Sequence, residues 1–247
     1  MEALLQYLLE PASGAASHTL DARLAWHGRI MVLAWGVLIP LGILVARFLK
    51  VVPGQAWPQR LDNPAWWHGH RATQYCGVGL SLIGAALAWS AANHADPLRS
   101  PHTTLGWLVV LLGLAQVVAG YLRGSKGGPT GQTMRGDHYD MTPRRIWFER
   151  LHKAVGYGAL LLACATLLLG LAAADAPRWM WIALTLWWLL IGAIACRWQA
   201  QGRALDTYQA IWGPGDEHPG NRQQPVGLGI HRFSAQSYQQ RFPKSLW

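Results

Sequence analysis

At 247 residues, 51% of them hydrophobic and only 13% charged, the chain falls well below the roughly 25% charged residues of soluble domains. That composition argues against an ordinary water-soluble enzyme. With 15 tryptophans, a residue concentrated at membrane interfaces, it points to one multi-pass membrane domain with modest polar tails. The net charge of +9 raises a nucleic-acid partner, but the placement of the basic residues described below fits membrane topology, and no nucleic-acid partner is expected.

Residues 1–20 read as a short extracytoplasmic tail with an amphipathic turn at Leu4, Leu5, Leu8 and Leu9. They lack the basic, apolar and small-residue pattern of a cleaved signal peptide. Residues 21–198 form the membrane domain. Its first apolar segment runs from about Leu24 to Leu49 and contains Pro40 and Gly42, which membrane helices tolerate and which predict a kink. The second runs from about Trp66 to Ala92, the third from His102 to Arg123, the fourth from about Ile146 to Ala173 and the fifth from about Arg178 to Cys196. Each approaches the ~20 residues needed to span a bilayer. The loop between the third and fourth is too rich in glycine, proline and polar residues to span. Residues 199–247 read as a cytoplasmic tail with little helical periodicity, lying over that face or partly disordered. Cys76, Cys164 and Cys196 fall in apolar segments and read as buried small hydrophobes, not a disulfide set or a zinc site.

Five spans place the termini on opposite sides. Of the 21 Lys and Arg residues, only Arg23, Arg29, Arg99 and Arg178 fall on one face. The other face is therefore cytoplasmic, with the N-terminus outside and the C-terminus inside, in the cell (inner) membrane. The expected fold is an all-α integral membrane protein of five transmembrane helices, the first four forming a bundle.

Four histidines open the first four helices: His27, His70, His102 and His152. Alternating helix direction puts His27 and His102 near the outer face and His70 and His152 near the inner one. Two histidine pairs on facing helices suit bis-histidine haem, whose iron takes axial nitrogens from opposite sides. Small residues follow the histidines along their faces: Gly106, Gly113 and Gly120 after His102, Gly77 and Gly84 after His70, and Gly156, Ala163 and Gly170 after His152, whereas His27 is followed by Met31, Ala34 and Leu38, the weakest case. The small residues would admit a flat macrocycle. The same glycines also suit close helix packing, and a single interfacial histidine needs no cofactor. The two irons are expected on the order of 20 Å apart, from ~14 residues of helical rise. Arg71, Arg150 and Lys153 adjoin the inner pair and Arg23, Arg29 and Arg99 the outer. They are candidates for haem propionates, or topology charges that meet lipid phosphates. Asp137, His138, Tyr139 and Asp140 form a polar cluster in the long loop, either cover for a donor site or a solvated loop.

The segments HGRIMVLAWGVLIPLGILVAR, WWHGHRATQ, HTTLGWLVVLLGLAQVVAGYLR and WFERLHKAVGY, in that order, resemble the cytochrome b561 family over residues 24–173. The resemblance implies two non-covalent b-type haems, with His27 and His102 as axial ligands of an outer haem iron and His70 and His152 of an inner one. Gln74 lies beside His70, and His68 is a reserve ligand. The implied function is transmembrane electron transfer between a donor and an acceptor on opposite sides: a quinol, a small reductant or a redox protein. In enzyme terms this is a transmembrane oxidoreductase. The motifs of ascorbate-dependent members are missing, and an extracellular DOMON domain, if used, comes from another chain. A homodimer, or a complex with a soluble redox subunit, is compatible. One alternative is a haem-bearing anchor subunit of a larger dehydrogenase or reductase. The other is a non-redox transporter or scaffold.

Overall fold

The computed structural model describes residues 1–14, 20–52, 54–91 and 100–242. Among these residues there is no β-strand, only two isolated bridges. Helix α1 is Glu2–Leu9. Helix α2 (Ala22–Met31) passes through a π-helical stretch, Val32–Leu38, into α3 (Ile39–Phe48). Then come α4 (Ala65–Ala91), α5 (Pro101–Tyr121), the single turn α6 (Asp137–Asp140), α7 (Pro143–Ala173), α8 (Arg178–Ala200), α9 (Thr207–Trp212) and α10 (Ala235–Arg241). Among the described residues, four helical runs are long and apolar enough to cross a membrane: Ala22–Phe48, α5, α7 and α8. Helix α4 has 27 residues, but His68, His70, Arg71 and Gln74 load its first turns with polar groups and glycines dilute the rest.

The faces are sorted as a lipid environment demands. Leu111, Leu161 and Leu189 are exposed, Leu161 by 72%, whereas Ser81, Ala159 and Ala163 are buried. Large apolar residues point outward and small ones bring helices together. Cys76 and Cys196 are exposed and Cys164 is half-buried, which corrects the expectation of three buried thiols. An apolar helix facing lipid puts small hydrophobes on its outer side as readily as in its core.

The chain divides into two compact units. One comprises Met1–Leu41, Thr73–Ala115 and Gly156–Ile194. Here the expected kink takes the form of the π-helical stretch. Pro40 has no N–H, so the Gly36 carbonyl loses its usual partner four residues on. The Trp187 indole N–H donates to it instead, at 2.9 Å. In the same stretch the Ile39 N–H reaches back five residues to Ala34. The N-terminal residues are tied down as well: Glu10 pairs with Arg178 at 2.7 Å, and Ser13 donates to the Asp175 carboxylate. Of the leucines in the expected amphipathic turn, Leu8 is half-buried, and Leu4, Leu5 and Leu9 are exposed on α1.

The other unit comprises Gly42–Ala72, Gln116–Val155 and Ala195–Trp247. The residues beyond α8 fold. Tyr208 and Trp212 of α9 pack with Met141 and Val226, and Trp57 packs with Leu205 and Ala210. The Tyr208 hydroxyl donates to the Tyr139 carbonyl at 2.7 Å. Arg232 pairs with Asp206 at 2.6 Å and donates to the carbonyls of Gly220, Asn221 and Gln223. Gly128, at φ +74°, leaves room for this packing, because a Cβ there would lie 2.8 Å from the Trp212 ring. Within the 137–140 cluster, Tyr139 packs against this core and Asp137 accepts from Ser125 and Thr142. His138 is only 4% exposed, with ring centroids 5.7 Å from Tyr208 and 6.0 Å from Trp212.

Burial, helped by the nearby Arg145 cation, pushes the His138 imidazole down to about 3. An unfolded histidine takes a proton near 6.5, so the unfolded state binds more protons between those values and the fold loses stability as pH falls through that range. By pH 5 the loss is about 2 kcal/mol. Tryptic cleavage within residues 201–242 is expected to rise from pH 7 to pH 5 relative to a His138→Phe control. A ratio that stays flat with pH contradicts the account.

Candidate functional site

The first unit brings His27 and His102 together. Their ring centroids are 6.0 Å apart and the rings are nearly perpendicular, at 86°. Backbone carbonyls orient both rings: His27 Nδ1 lies 2.8 Å from the Gly84 oxygen, and His102 Nδ1 lies 3.0 Å from the Thr166 oxygen. Carbonyl acceptors fix the proton on Nδ1 and leave Nε2 as a metal-ligating lone pair. With metal–nitrogen bonds of about 2.0–2.1 Å and ring centroids roughly 1.1 Å further, two imidazoles that share one metal stand roughly 6.3 Å apart. The observed spacing matches that requirement.

The surrounding residues are mostly apolar, large and small together. A cavity of about 40 Å³ is lined by both histidines, Met31, Trp35, Gly106 and Ala163 among others. Trp35 is buried, and its indole N–H has no hydrogen-bond partner. A porphyrin is far larger than this cavity, so seating one requires the lining side chains to part. Gly170 is necessary to the ring position: a Cβ there would lie 2.8 Å from His102 Cε1. The glycine strip on α5 divides its work. Gly106 lines the cavity, Gly113 makes room for Trp35 at 3.2 Å, and Gly120 has nothing within 4 Å. On α4, Gly77 admits Ile39 and Gly84 admits Ile30 and Met31. These glycines serve helix packing, the other use their spacing allows.

The second unit contains His70 and His152. His70 Nδ1 lies 3.0 Å from the Gly42 carbonyl, the same carbonyl support that orients the first pair. His152 stacks on Phe148 at 5.2 Å, lies within electrostatic reach of His70, and has a buried Nδ1 with no hydrogen-bond partner. His68 is exposed where His70 is half-buried. Around the pair lies a buried ion group that histidine spacing does not reveal. Glu149, one turn before His152, accepts from Arg145 at 3.0 Å and from Lys153 at 2.9 Å. The Lys153 ammonium also donates to the Val226 carbonyl at 2.7 Å. The i,i+4 spacing of Arg145, Glu149 and Lys153 was the available signal.

The other predicted residues are occupied in varied ways. Gln74 donates to the Ile39 carbonyl at 3.1 Å, which makes it a helix-packing group. Arg71 and Arg123 lie over the Trp67 ring, at 5.5 and 4.2 Å. Arg150 is exposed and lies 5.9 Å from the Trp147 ring. Arg29 lies 5.1 Å from the Trp26 ring. Arg23 pairs with Asp21 and donates to the Ser90 carbonyl. Arg99 lies outside the described residues. Among the described residues, no group of three or more His, Cys, Asp or Glu gathers as a conventional metal cluster.

Comparison with known proteins gives a consistent picture. The family model described as Eukaryotic cytochrome b561 matches residues 26–177. A cytochrome b561, DM13 and DOMON domain-containing protein of Arabidopsis thaliana is 29% identical over 167 residues, covering 68% of this chain and 16% of that protein. Ferric-chelate reductase 1 of Bos taurus is 28% identical over 163 residues, covering 66% of this chain and 24% of the relative. A second Arabidopsis cytochrome b561 and DOMON domain-containing protein is 27% identical over 166 residues, covering 66% and 36%. The match thus spans from about a sixth to about a third of these relatives. No solved structure matches significantly.

Proposed function

The chain belongs to the cytochrome b561 family, and on that premise we propose that it carries single electrons across a membrane through two b-type haems, one at each histidine pair. Transmembrane electron transfer by a b-type cytochrome follows from the family. The two sites, their ligands and the sidedness are our assignment. The observation that carries it is the His27–His102 pair, with rings 6.0 Å apart and both Nδ1 atoms held by backbone carbonyls. Haem bound at such a pair supplies reversible one-electron exchange at iron.

The chain's own residues do the rest. The carbonyls of Gly84, Thr166 and Gly42 hold the rings of His27, His102 and His70 in orientation. Trp35, Val109 and Leu167 keep the first site apolar. Helix α4 is assigned as the fifth span, because residues of one helix contribute to both pairs: His70 as a ligand, and Gly84 as the support of His27. Basic-residue placement supports a cytoplasmic C-terminus. Relatives named ferric-chelate reductase make a ferric chelate the first acceptor class to try. Relatives whose names include DOMON domains support a second reading, in which the chain is the membrane subunit of a larger redox assembly.

Vesicles loaded with ferricyanide and exposed to an impermeant external reductant test the proposal. The wild-type protein is expected to bleach the trapped ferricyanide, and His70→Ala and His102→Ala are each expected to abolish bleaching. Wild-type rates in either variant would contradict a path that uses both pairs.

A further inference from the structure

Lys50 has no part in the site described above, and among the described residues it is the most deeply placed amine of the second unit, with 5% of its surface exposed. Its Nζ donates to the carbonyls of Arg47 at 3.2 Å and Leu205 at 3.0 Å. The charged and titratable groups around it are Arg47 on its own helix, His70 on α4, Glu149 and Lys153 on α7, and Asp206 at the start of α9. Both carboxylates are committed elsewhere, Glu149 to Arg145 and Lys153, and Asp206 to Arg232.

Two carbonyl acceptors are satisfied equally by a neutral amine, which has two N–H donors, and by an ammonium, which has three. The site therefore keeps its hydrogen bonds in either protonation state. Burial, with the Lys153 cation as the second cause, pushes the Lys50 amine down to about 7. Near neutral pH both states are populated.

We propose that Lys50 couples electron arrival at the His70–His152 pair to proton uptake. This rests on reading that pair as a haem site. A haem held by His70 and His152 would take one electron from the donor, and the local charge would fall by one. One proton from water binds the Lys50 nitrogen and restores the charge. Oxidation releases both, and no other bond forms or breaks. Lys50 touches no reacting atom; it is a positioning residue that acts through the field at the pair.

Redox titration of the purified holoprotein from pH 6 to pH 8.5 tests the inference, with haem content measured alongside. In the wild type, one of the two midpoints is expected to fall as pH rises. A tenfold difference in proton affinity between the oxidised and reduced states corresponds to 59 mV for a one-electron couple, and a shift of that order is expected. Lys50→Met is expected to keep both haems and to fix that midpoint near its high-pH value. Lys50→Arg, which carries a permanent charge, is expected to fix it near the low-pH value. A wild-type midpoint and pH slope in Lys50→Met overturns the inference. If Lys50→Met fails to assemble, a wild-type pH slope in Lys50→Arg overturns it equally. A wild type with no haem at this pair removes the underlying reading and the inference with it, and haem content makes that outcome distinct.

Discussion

His102→Ala is expected to lose one haem and keep the other, halving the amplitude of the reduced-minus-oxidised spectrum and stopping transmembrane transfer. The substitution deletes one of the two imidazoles, with centroids 6.0 Å apart, that the assignment gives to a single haem iron. The helices are not expected to fall apart, because α5 is fixed independently. Val109, Val110 and Gly113 are its buried residues, and Gly113 packs against Trp35 and Val78. Added imidazole should restore part of the spectrum in His102→Gly, which separates a missing ligand from a misfolded bundle. Full spectral amplitude in His102→Ala would show that this ring is not a ligand.

Glu149→Leu is expected to cost about 3–5 kcal/mol, the usual result of stripping one partner from a buried ion group. Arg145 and Glu149 have side chains only 10% and 6% exposed, and Lys153 depends on the same carboxylate. Without it, two cations remain beside His152 with carbonyls as their only acceptors. Denaturation in detergent, followed by tryptophan fluorescence, measures the loss. Replacing Arg145 and Glu149 together by leucine should recover part of it, because the cation that most needs the carboxylate then goes too. An unchanged midpoint for Glu149→Leu would mean that the ion group carries no structural weight.

Much of this arrangement was legible before any coordinates. Apolar length placed the long helices to within a few residues, because one period and one solvent govern them all. The four histidines stood out because each is a polar ring within the first three turns of a long helix, and they fall into two matched pairs. What escaped was non-local. The fold beyond α8 depends on single aromatics, such as Trp57 and Tyr208, which meet across long stretches of chain and leave no period in the sequence. Lys50 reads as a topology charge at a helix end, and only the approach of Leu205 makes it a buried amine. The glycines were read correctly as small faces, but a repeat does not say what occupies the space. Gly113 and Gly77 turned out to receive Trp35 and Ile39, whereas Gly170 leaves room for the His102 ring.

The most direct measurement is haem b per polypeptide in the purified wild-type protein, by pyridine haemochrome against quantitative amino-acid analysis. The account predicts two. One haem would contradict the assignment of a cofactor to each histidine pair and remove the second step of the path. No haem in folded protein would contradict electron transfer altogether.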